Sequence, residues 1–434
     1  MNHRRPRYEN KIENTLIVLL VFAAMPAATG AAPEAPRDAQ LQELIAEAAR
    51  NSPEIRAAGN ERLAAQLRVS PAGALDDPML EAGVINAPLA SQTFRREDMT
   101  MKMLGLSQKI PYPGKRDLRQ DVASKDAESV AYAYQETVNR VLRDVKVAYF
   151  ELALSVEAAR LVARNKQVLD QFLQISESRY GVGQGTQADV LKAQTQLSKM
   201  VDELIKLARE RRTIEAELVR ALGRGSAAGP PDPGVLRLRE APLQPDTLLE
   251  TALTERPQLL GLKSLIDRSA KTLDLARKDY YPDFDVKLSY GQRDRTLEGM
   301  RRDDMVSFTV AINLPVWRET KRDPRVAEAI ALRDQALDLY EAQRNELSSK
   351  LRQQVANAEQ SRKSARLYET GVLPQARLAV ESSLAAYRVN RVDFLTLLDS
   401  QMTVLNYEVS YASALSSYNK ALAEIDFLTG KPGL

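Results

Sequence analysis

Four short stretches of the chain alternate between apolar and polar residues. The clearest are FDVKLSYGQ at 284–292 and VSFTVAINL at 306–314, in which every second residue is apolar. A period of two places the apolar side chains on one face of a β-strand. The weaker runs at 79–86 and 99–108 follow the same pattern earlier in the chain. The sequence therefore predicts two pairs of strands, each strand with one apolar and one polar face.

Long segments outside the strands have the composition of helices. Neither proline nor glycine occurs in Lys115–Tyr180 or in Thr186–Leu222. At about 1.5 Å per residue, the first segment would extend roughly 100 Å as one helix. Apolar residues between 398 and 412 follow the heptad spacing of a coiled coil. We expect long helical hairpins, with the later arm broken at Gly371 and Pro374.

The second half of the chain repeats the pattern of the first. An offset of 207 positions aligns Tyr180 with Tyr387, and an offset of 204 aligns Pro53 with Pro257. Ordered matches of this kind indicate an internal duplication. Each copy reads, in order, as a helical segment, two strands and a long helical hairpin.

The duplication sets the predicted domain bounds. We expect a first repeat at 37–225, a proline-rich linker at 226–245 and a second repeat at 246–434. Ahead of them, residues 1–31 carry basic, then apolar, then small residues, which is the pattern of a cleaved export signal. A membrane anchor is the alternative, but its apolar run is too short, because crossing a bilayer takes about 20 residues.

A glycine-rich interruption separates the two long helices of the first repeat. The second copy places Asn390 where the first has Gly183, and both residue types tolerate a left-handed backbone. These positions predict two hairpin tips, which either dock a partner's helical hairpin or only form the turn. The candidate docking residues are Tyr180, Gly181, Val182, Gly183, Tyr387, Arg388, Val389 and Asn390.

Composition argues against an enzyme. The 434 residues include no cysteine, and the single histidine, His3, lies in the predicted leader. The mature chain therefore lacks the commonest general base and the commonest metal ligands. No nucleotide-binding or nucleophile motif is present. The net charge of +3 gives no indication of nucleic-acid binding, and we expect no cofactor.

The alternating strands leave two architectures open. They fit an ordinary four-stranded sheet that packs its apolar face on helices. They also fit a membrane barrel shared by several chains, since four strands cannot close one. The leader, the two symmetric strand pairs and the long helices favour the shared barrel. Tyr280, Tyr281 and Trp317, at the strand ends, suit an aromatic girdle at a membrane interface.

With these features the chain resembles the TolC family of outer-membrane efflux channels. The matching stretches are YGVGQGTQADVLKAQTQL, LPQARLAVESSLAAYRVNRVDFLTLLDSQ and ALAEIDFLTG. The resemblance implies a mainly α fold with a membrane β-barrel part, in which a homotrimer shares one twelve-stranded barrel continued by a periplasmic helical tube. It implies the exit channel of a tripartite efflux system. The implied partners are a periplasmic adaptor, an inner-membrane transporter of the resistance-nodulation-division type and outer-membrane lipid.

The cargo is less well defined by the residues. LSQKIPYPGKRDLRQ at 106–120 resembles the joint between strand and helix in the heavy-metal cation efflux branch, which favours metal cations. Drugs, or proteins passing through a type I secretion duct, are the alternatives. A secreted coiled-coil adaptor without a pore is a further alternative. Met99, Met101 and Met103 alternate on one strand face, where an apolar packing or lipid-facing stripe is favoured over soft-metal binding.

Carboxylates beyond the tips are the candidate pore gate. Members of the family often carry Asp-x-x-Asp just past the second tip, and the matching positions here are Thr396 and Asp399. The first copy offers Asp189 and Lys192. Carboxylates gathered around a three-fold axis repel one another and attract cations, which would make the gate sensitive to cations. The alternative for Asp189 is that it caps a helix start.

Overall fold

The computed structural model describes residues 39–89, 93–225, 229 and 232–431. The predicted leader and part of the predicted linker lie outside these residues, so the domain bounds given above stay predictions. None of the helices in the described ranges combines the length and the apolarity that a bilayer crossing requires.

The first repeat contains two short helices, a strand pair and a long helical hairpin. The short helices are separated at Ser52, because the following Pro53 has no backbone N–H to donate and favours the first position of a new helix. The elements are α1 (Ala39–Asn51), α2 (Pro53–Gly73), β1 (Met79–Ile85), β2 (Met101–Ile110), α3 (Lys115–Gly181) and α4 (Gln187–Ala221).

The second repeat has the same order of elements, as the duplication predicts. Its short helices are separated at Arg256, before Pro257, which is the equivalent of Pro53. The elements are α5 (Pro245–Glu255), α6 (Pro257–Lys278), β3 (Phe284–Gln292), β4 (Met305–Ile312), α7 (Asp323–Leu367), α8 (Leu373–Arg388) and α9 (Phe394–Leu428).

The expected break at Gly371 and Pro374 is wrong. The chain passes from α7 into α8 through a π-helical turn, Tyr368–Val372, without leaving the helix. The backbone N–H of Leu373 donates to the carbonyl of Tyr368, five residues earlier. This wider turn absorbs the glycine and leaves Pro374 in the first turn of α8, where a missing N–H costs little.

The strands form one antiparallel sheet in the order β1-β2-β3-β4. The central pair, β2 and β3, joins the two repeats, with Leu106 opposite Leu288 and Gly105 opposite Ser289. The sheet is therefore a product of both copies, and its outer strands are the first of one repeat and the last of the other.

Three large buried clusters, and a small one between α6 and α7, hold the helices together. Two of the large clusters are equivalent: one joins α1, α2, α3 and α4, and the other joins α5, α6, α7 and α9. The third lies nearer the hairpin tips and draws on α3, α4, α8 and α9. The predicted heptad seam of α9 is buried at Leu398, Leu405 and Ala412. Each hairpin therefore has its own core with the short helices of its repeat, and the two hairpins share a core nearer the tips.

The end of each hairpin packs against the kink between the two short helices of its own repeat, which lies at Ser52 in the first repeat and at Arg256 in the second. Gly223 has a φ of +67°, and a methyl group on it would lie 2.6 Å from the carbonyl oxygen of Asn51. Gly430 has a φ of +75°, and a methyl group on it would lie 2.7 Å from the carbonyl oxygen of Glu255. The duplication has thus preserved the same close backbone contact in both copies.

Candidate functional site at the hairpin tips and the strand sheet

Both hairpin tips turn through the same backbone motif. At the first tip, Gly183 has a φ of +75°, and the N–H of Gln184 donates to the carbonyl of Arg179 over 2.8 Å. At the second tip, Asn390 has a φ of +61°, and the N–H of Arg391 donates to the carbonyl of Ala386 over 2.9 Å. These are Schellman motifs, in which one left-handed residue ends the helix. The turns explain why glycine and asparagine occupy equivalent positions.

The side chains of the two tips differ despite the repeated backbone. Tyr387 is only 4% exposed and packs on Phe394, with the ring centroids 5.8 Å apart. Tyr180, at the equivalent position, is 50% exposed. The tyrosine side chain therefore serves as a core residue of the second hairpin and as a surface residue of the first.

Arg179 fastens the first tip to the second. Its guanidinium donates to the carbonyl oxygens of Tyr387 and Gln184 and to the side-chain oxygen of Asn390. It also lies over the Tyr387 ring, 4.4 Å from the centroid. The sequence did not single out Arg179, because the second copy has Ala386 in its place and the duplication draws attention to shared residues.

Apolar side chains project from both turns. Val182 is 68% exposed and Val389 is 64% exposed, and Arg388 is exposed beside them. Gly181 and Gly183 have open space where a side chain would begin. The combined tip is a surface of small and apolar residues next to the Arg179 contacts.

The candidate gate carboxylates are used in different ways. Asp189 belongs to a capping box at the start of α4, in which its backbone N–H donates to the hydroxyl oxygen of Thr186 over 3.2 Å. Asp399 and Thr396 are both exposed on the first turns of α9. Lys192 is exposed on α4. The structure thus gives Asp189 a local capping role and leaves Asp399 facing away from the core.

Asp393, which the sequence analysis missed, caps α9. Its carboxylate accepts the hydroxyl and the backbone N–H of Thr396, the latter over 2.9 Å. The Thr396 hydroxyl, then its backbone N–H, and then the charge of Lys192 on the other hairpin hold the pKa of Asp393 below its ordinary value. The signal was available, since an aspartate directly before a long helix is a preferred cap.

The two faces of the sheet have opposite character. Leu106, Leu288 and Phe308 pair across neighbouring strands on one face, and Leu288 and Phe308 are 53% and 68% exposed. The other face is polar, and on it Lys287 forms an ion pair with Glu81 across the bare position of Gly105. The sheet therefore exposes its apolar face instead of packing it on helices, unlike an ordinary globular sheet.

The methionines of β2 lie on the polar face. The register places Met103 beside Gly83 and Gly291, and Met101 on the same face of β2. The exposed apolar residues Leu104 and Leu106 occupy the opposite face. Of the two forms of apolar stripe that the sequence left open, the lipid-facing one does not fit Met101 and Met103, because they lie on the face opposite Leu104 and Leu106, and the packing form stays open.

The passage from strand to helix is fixed by one buried lysine. Lys115 lies in the PYPGK stretch, and its Nζ is 2.8 Å from a carboxylate oxygen of Asp283 and 3.1 Å from the carbonyl oxygen of Tyr281. The backbone N–H of Tyr112 donates to the same carboxylate oxygen. Gly114, with a φ of +85°, turns the chain into α3. This stretch therefore has a structural role at the joint between the sheet and the helices.

Aromatic residues surround this joint. The ring of Tyr281 stacks on that of Tyr112, with centroids 4.6 Å apart. Tyr280 lies under the guanidinium of Arg318 at 5.1 Å. Trp317 is 70% exposed. The candidate girdle residues thus sit at one end of the strands, where the sheet gives way to helix.

Comparisons with known proteins agree with this architecture. A family model described as "Outer membrane efflux protein" matches residues 44–224 and 248–431. The cobalt-zinc-cadmium resistance protein CzcC of Cupriavidus metallidurans is 24% identical over 326 residues, which is 74% of this chain and 75% of CzcC. The multidrug resistance outer membrane protein MdtP of Escherichia coli is 23% identical over 270 residues, which is 60% of this chain and 54% of MdtP.

A solved structure shows the same fold. The crystal structure of CusC matches with a TM-score of 0.77 at 15% identity, covering 91% of this chain and 92% of CusC. The family model spans most of both repeats, and the strand sheet and long hairpins occur in the order that the duplication predicts. The chain belongs to the outer membrane efflux protein family, whose members are channels of the outer membrane and not enzymes.

Proposed function

We propose that the chain is the exit channel of a tripartite efflux system and conducts metal cations out of the cell. The observation that carries the channel is the exposed apolar face of the sheet, on which Leu288 and Phe308 have no helix to cover them. Three chains would share one barrel. A periplasmic adaptor and an inner-membrane transporter of the resistance-nodulation-division type would complete the system.

The edges of the sheet support assembly with further copies. Within the described residues, β1 pairs only with β2, and β4 pairs only with β3. Both edges therefore carry unpaired backbone groups next to an exposed apolar face. Such an edge is costly in lipid, and closure with strands of other copies removes it. Tyr280, Tyr281 and Trp317 would then lie at the periplasmic interface of the outer membrane.

The tip supports docking of an adaptor. Tyr180, Val182 and Val389 present apolar surface at the end farthest along the hairpins from the sheet. The side chain of Tyr387 is buried, so it would support docking only by holding the second tip in shape and not by contact with the adaptor. Exposed apolar side chains at a helical hairpin end fit the end of another helical hairpin.

Asp399 is the gate residue that we propose. Asp189 is occupied as a helix cap, whereas Asp399 is exposed on α9 and Thr396 lies one turn before it. Around a three-fold axis, copies of Asp399 would face one another. Their mutual repulsion would favour bound divalent cations.

The choice of cargo rests on similarity. CzcC is named for cobalt, zinc and cadmium resistance, and the 106–120 stretch carries the resemblance to the metal branch. MdtP is named for multidrug resistance, so drugs are the second candidate. Deletion of the gene in its own host should lower tolerance to these metals and leave tolerance to dyes and detergents unchanged. The opposite pattern would assign the channel to drugs.

Planar-bilayer conductance tests the channel itself. Detergent-extracted protein should form stable pores that divalent cations block from one side. Asp399→Ala should raise the single-channel conductance and weaken the block, whereas Asp338→Ala, the same change at an exposed position of α7, should do neither. Pores whose block is unaltered in Asp399→Ala would remove Asp399 from the gate. A protein that stays in solution without detergent and forms no pores would refute the channel.

A further inference from the structure

Three methionines lie around one glycine on the polar face of the sheet. In the register of the sheet, Gly291 of β3 lies directly opposite Met103 of β2 and directly opposite Met305 of β4. The sulfur of Met101 fills the space above the glycine, 2.5 Å from where a methyl group on Gly291 would lie. A side chain at 291 would therefore occupy the place that the Met101 thioether takes.

The spacing allows the three sulfurs to approach one point. Residues directly opposite each other in an antiparallel sheet have Cα atoms about 4.5–5.5 Å apart. Met103 and Met305 therefore flank Gly291 within the reach of a methionine side chain. Met101 leans over the glycine from the next position on the same face. The bare Cα of Gly291 forms the floor between them.

The face that carries these methionines is polar over much of its length. The same face carries Lys287, Ser289 and Ser307, while apolar residues cover the opposite face. Met305 is 38% exposed. Ile85 lies opposite Met101 on the same face, so apolar packing at this end of the sheet is the alternative that the silver experiment below tests.

Thioethers have a specific metal preference. They are soft, neutral ligands that select Cu(I) and the similar ion Ag(I) over hard or borderline divalent cations. The mature chain has no cysteine and no histidine. Within the described residues, no cluster of His, Cys, Asp and Glu side chains could hold a metal ion. Thioether sulfur is therefore the soft donor that this chain offers.

We propose that Met101, Met103 and Met305 form a binding site for a soft monovalent cation, Cu(I) or Ag(I), above Gly291. The site rests on the proposed channel, because in a channel whose apolar sheet face meets lipid the polar face lines the pore, and it would add a soft monovalent cation to the divalent metals considered above. It would hold a soft cation at the loop end of the strands, away from the hairpin tips.

Silver binding to the purified protein tests the site. Ag(I) is the probe because it does not change oxidation state, and the buffer contains nitrate in place of chloride to keep it soluble. The detergent-solubilised protein should bind one Ag(I) per chain, with sulfur neighbours in its X-ray absorption spectrum. The triple variant Met101→Leu/Met103→Leu/Met305→Leu should lose this binding, because leucine keeps the volume and removes the sulfur.

Two further variants separate the site from general effects. Met200→Leu/Met402→Leu removes the methionines of the helical core and should bind silver as the wild type does. Gly291→Ala keeps all the thioethers but places a methyl group against the Met101 sulfur, and should weaken binding about 10–100-fold.

Each outcome has a consequence. Silver binding that survives the triple variant, or that is lost in Met200→Leu/Met402→Leu, would overturn the site. Gel filtration and bilayer conductance of the same samples show whether the variants fold and form pores. A triple variant that loses silver binding and still forms normal pores supports the site. A wild-type protein that binds silver but forms no pores would count against the proposed channel alone.

Discussion

Replacing Gly223 by alanine tests whether the contact between each hairpin and the helix kink of its repeat is required. The change has two costs. The backbone at +67° is left-handed, which costs a residue with a side chain about 1–2 kcal/mol. The new methyl group would also lie 2.6 Å from the carbonyl oxygen of Asn51 and 3.1 Å from Cδ of Pro53. Relieving such overpacking costs about 1–3 kcal/mol more.

The expected loss of stability is therefore about 2–5 kcal/mol for Gly223→Ala, and the same for Gly430→Ala, whose methyl group would meet the carbonyl of Glu255. The chain offers two matched controls. Gly183 has a φ of +75° with open space around it, so Gly183→Ala carries the backbone cost alone. Gly225 has open space and no positive φ, so Gly225→Ala should change nothing.

Thermal unfolding of the purified variants, followed by circular dichroism at 222 nm, ranks the four changes. We expect Gly225→Ala to match the wild type, Gly183→Ala to be mildly destabilised, and Gly223→Ala and Gly430→Ala to unfold at clearly lower temperature. Equal stability of Gly223→Ala and Gly183→Ala would show that the short helices shift away without cost. In that case the close contact with the kink does not constrain the fold.

The tips supply the remaining predictions. Arg179→Gln removes the charge over Tyr387 and should make the second tip more sensitive to limited proteolysis, while Arg388→Gln should not; equal cleavage in both would refute the fastening role. Val182→Asp should weaken cross-linking to the periplasmic adaptor without altering bilayer conductance, and unchanged cross-linking would exclude Val182 from docking. The ionised carboxylate of Asp393, whose pKa is depressed, stabilises the start of α9 fully above about pH 4 and less as the pH falls below it. Hydrogen exchange there should rise on acidification, and Asp393→Asn should remove the pH dependence.

The sequence correctly predicted those elements whose conformation depends mainly on residues close to them in the chain. The strand 284–292 was found with its observed ends, because alternation alone decides it. The left-handed Asn390 followed from its alignment with Gly183. The helix through Gly371 and Pro374 was missed, since the two residues are breakers in isolation and the π-helical turn that accommodates them depends on its neighbours.

Features that depend on strand register or on contacts between the hairpins could not be predicted. The faces of Met101 and Met103 follow from how β2 pairs with β1 and β3, and a shift of one residue would reverse them. Arg179 acts on Tyr387, more than two hundred positions away, and no pattern in the sequence connects them. Sequence reasoning could name the hairpin tips but not the contact that joins them.

The duplication explains why the two tips have come to differ. Where the short helices pack along the hairpins, both copies keep the same contacts, as Gly223 and Gly430 show, because each repeat builds an equivalent core there. At the tips no shared element imposes symmetry. The second hairpin buries Tyr387 under Arg179, and the first leaves Tyr180 exposed. A movement of the second tip must therefore break the Arg179 contacts, whereas the turn of the first can accept a partner without disturbing its own core. This difference agrees with the roles proposed above, in which the first tip docks the adaptor and the second hairpin closes the pore.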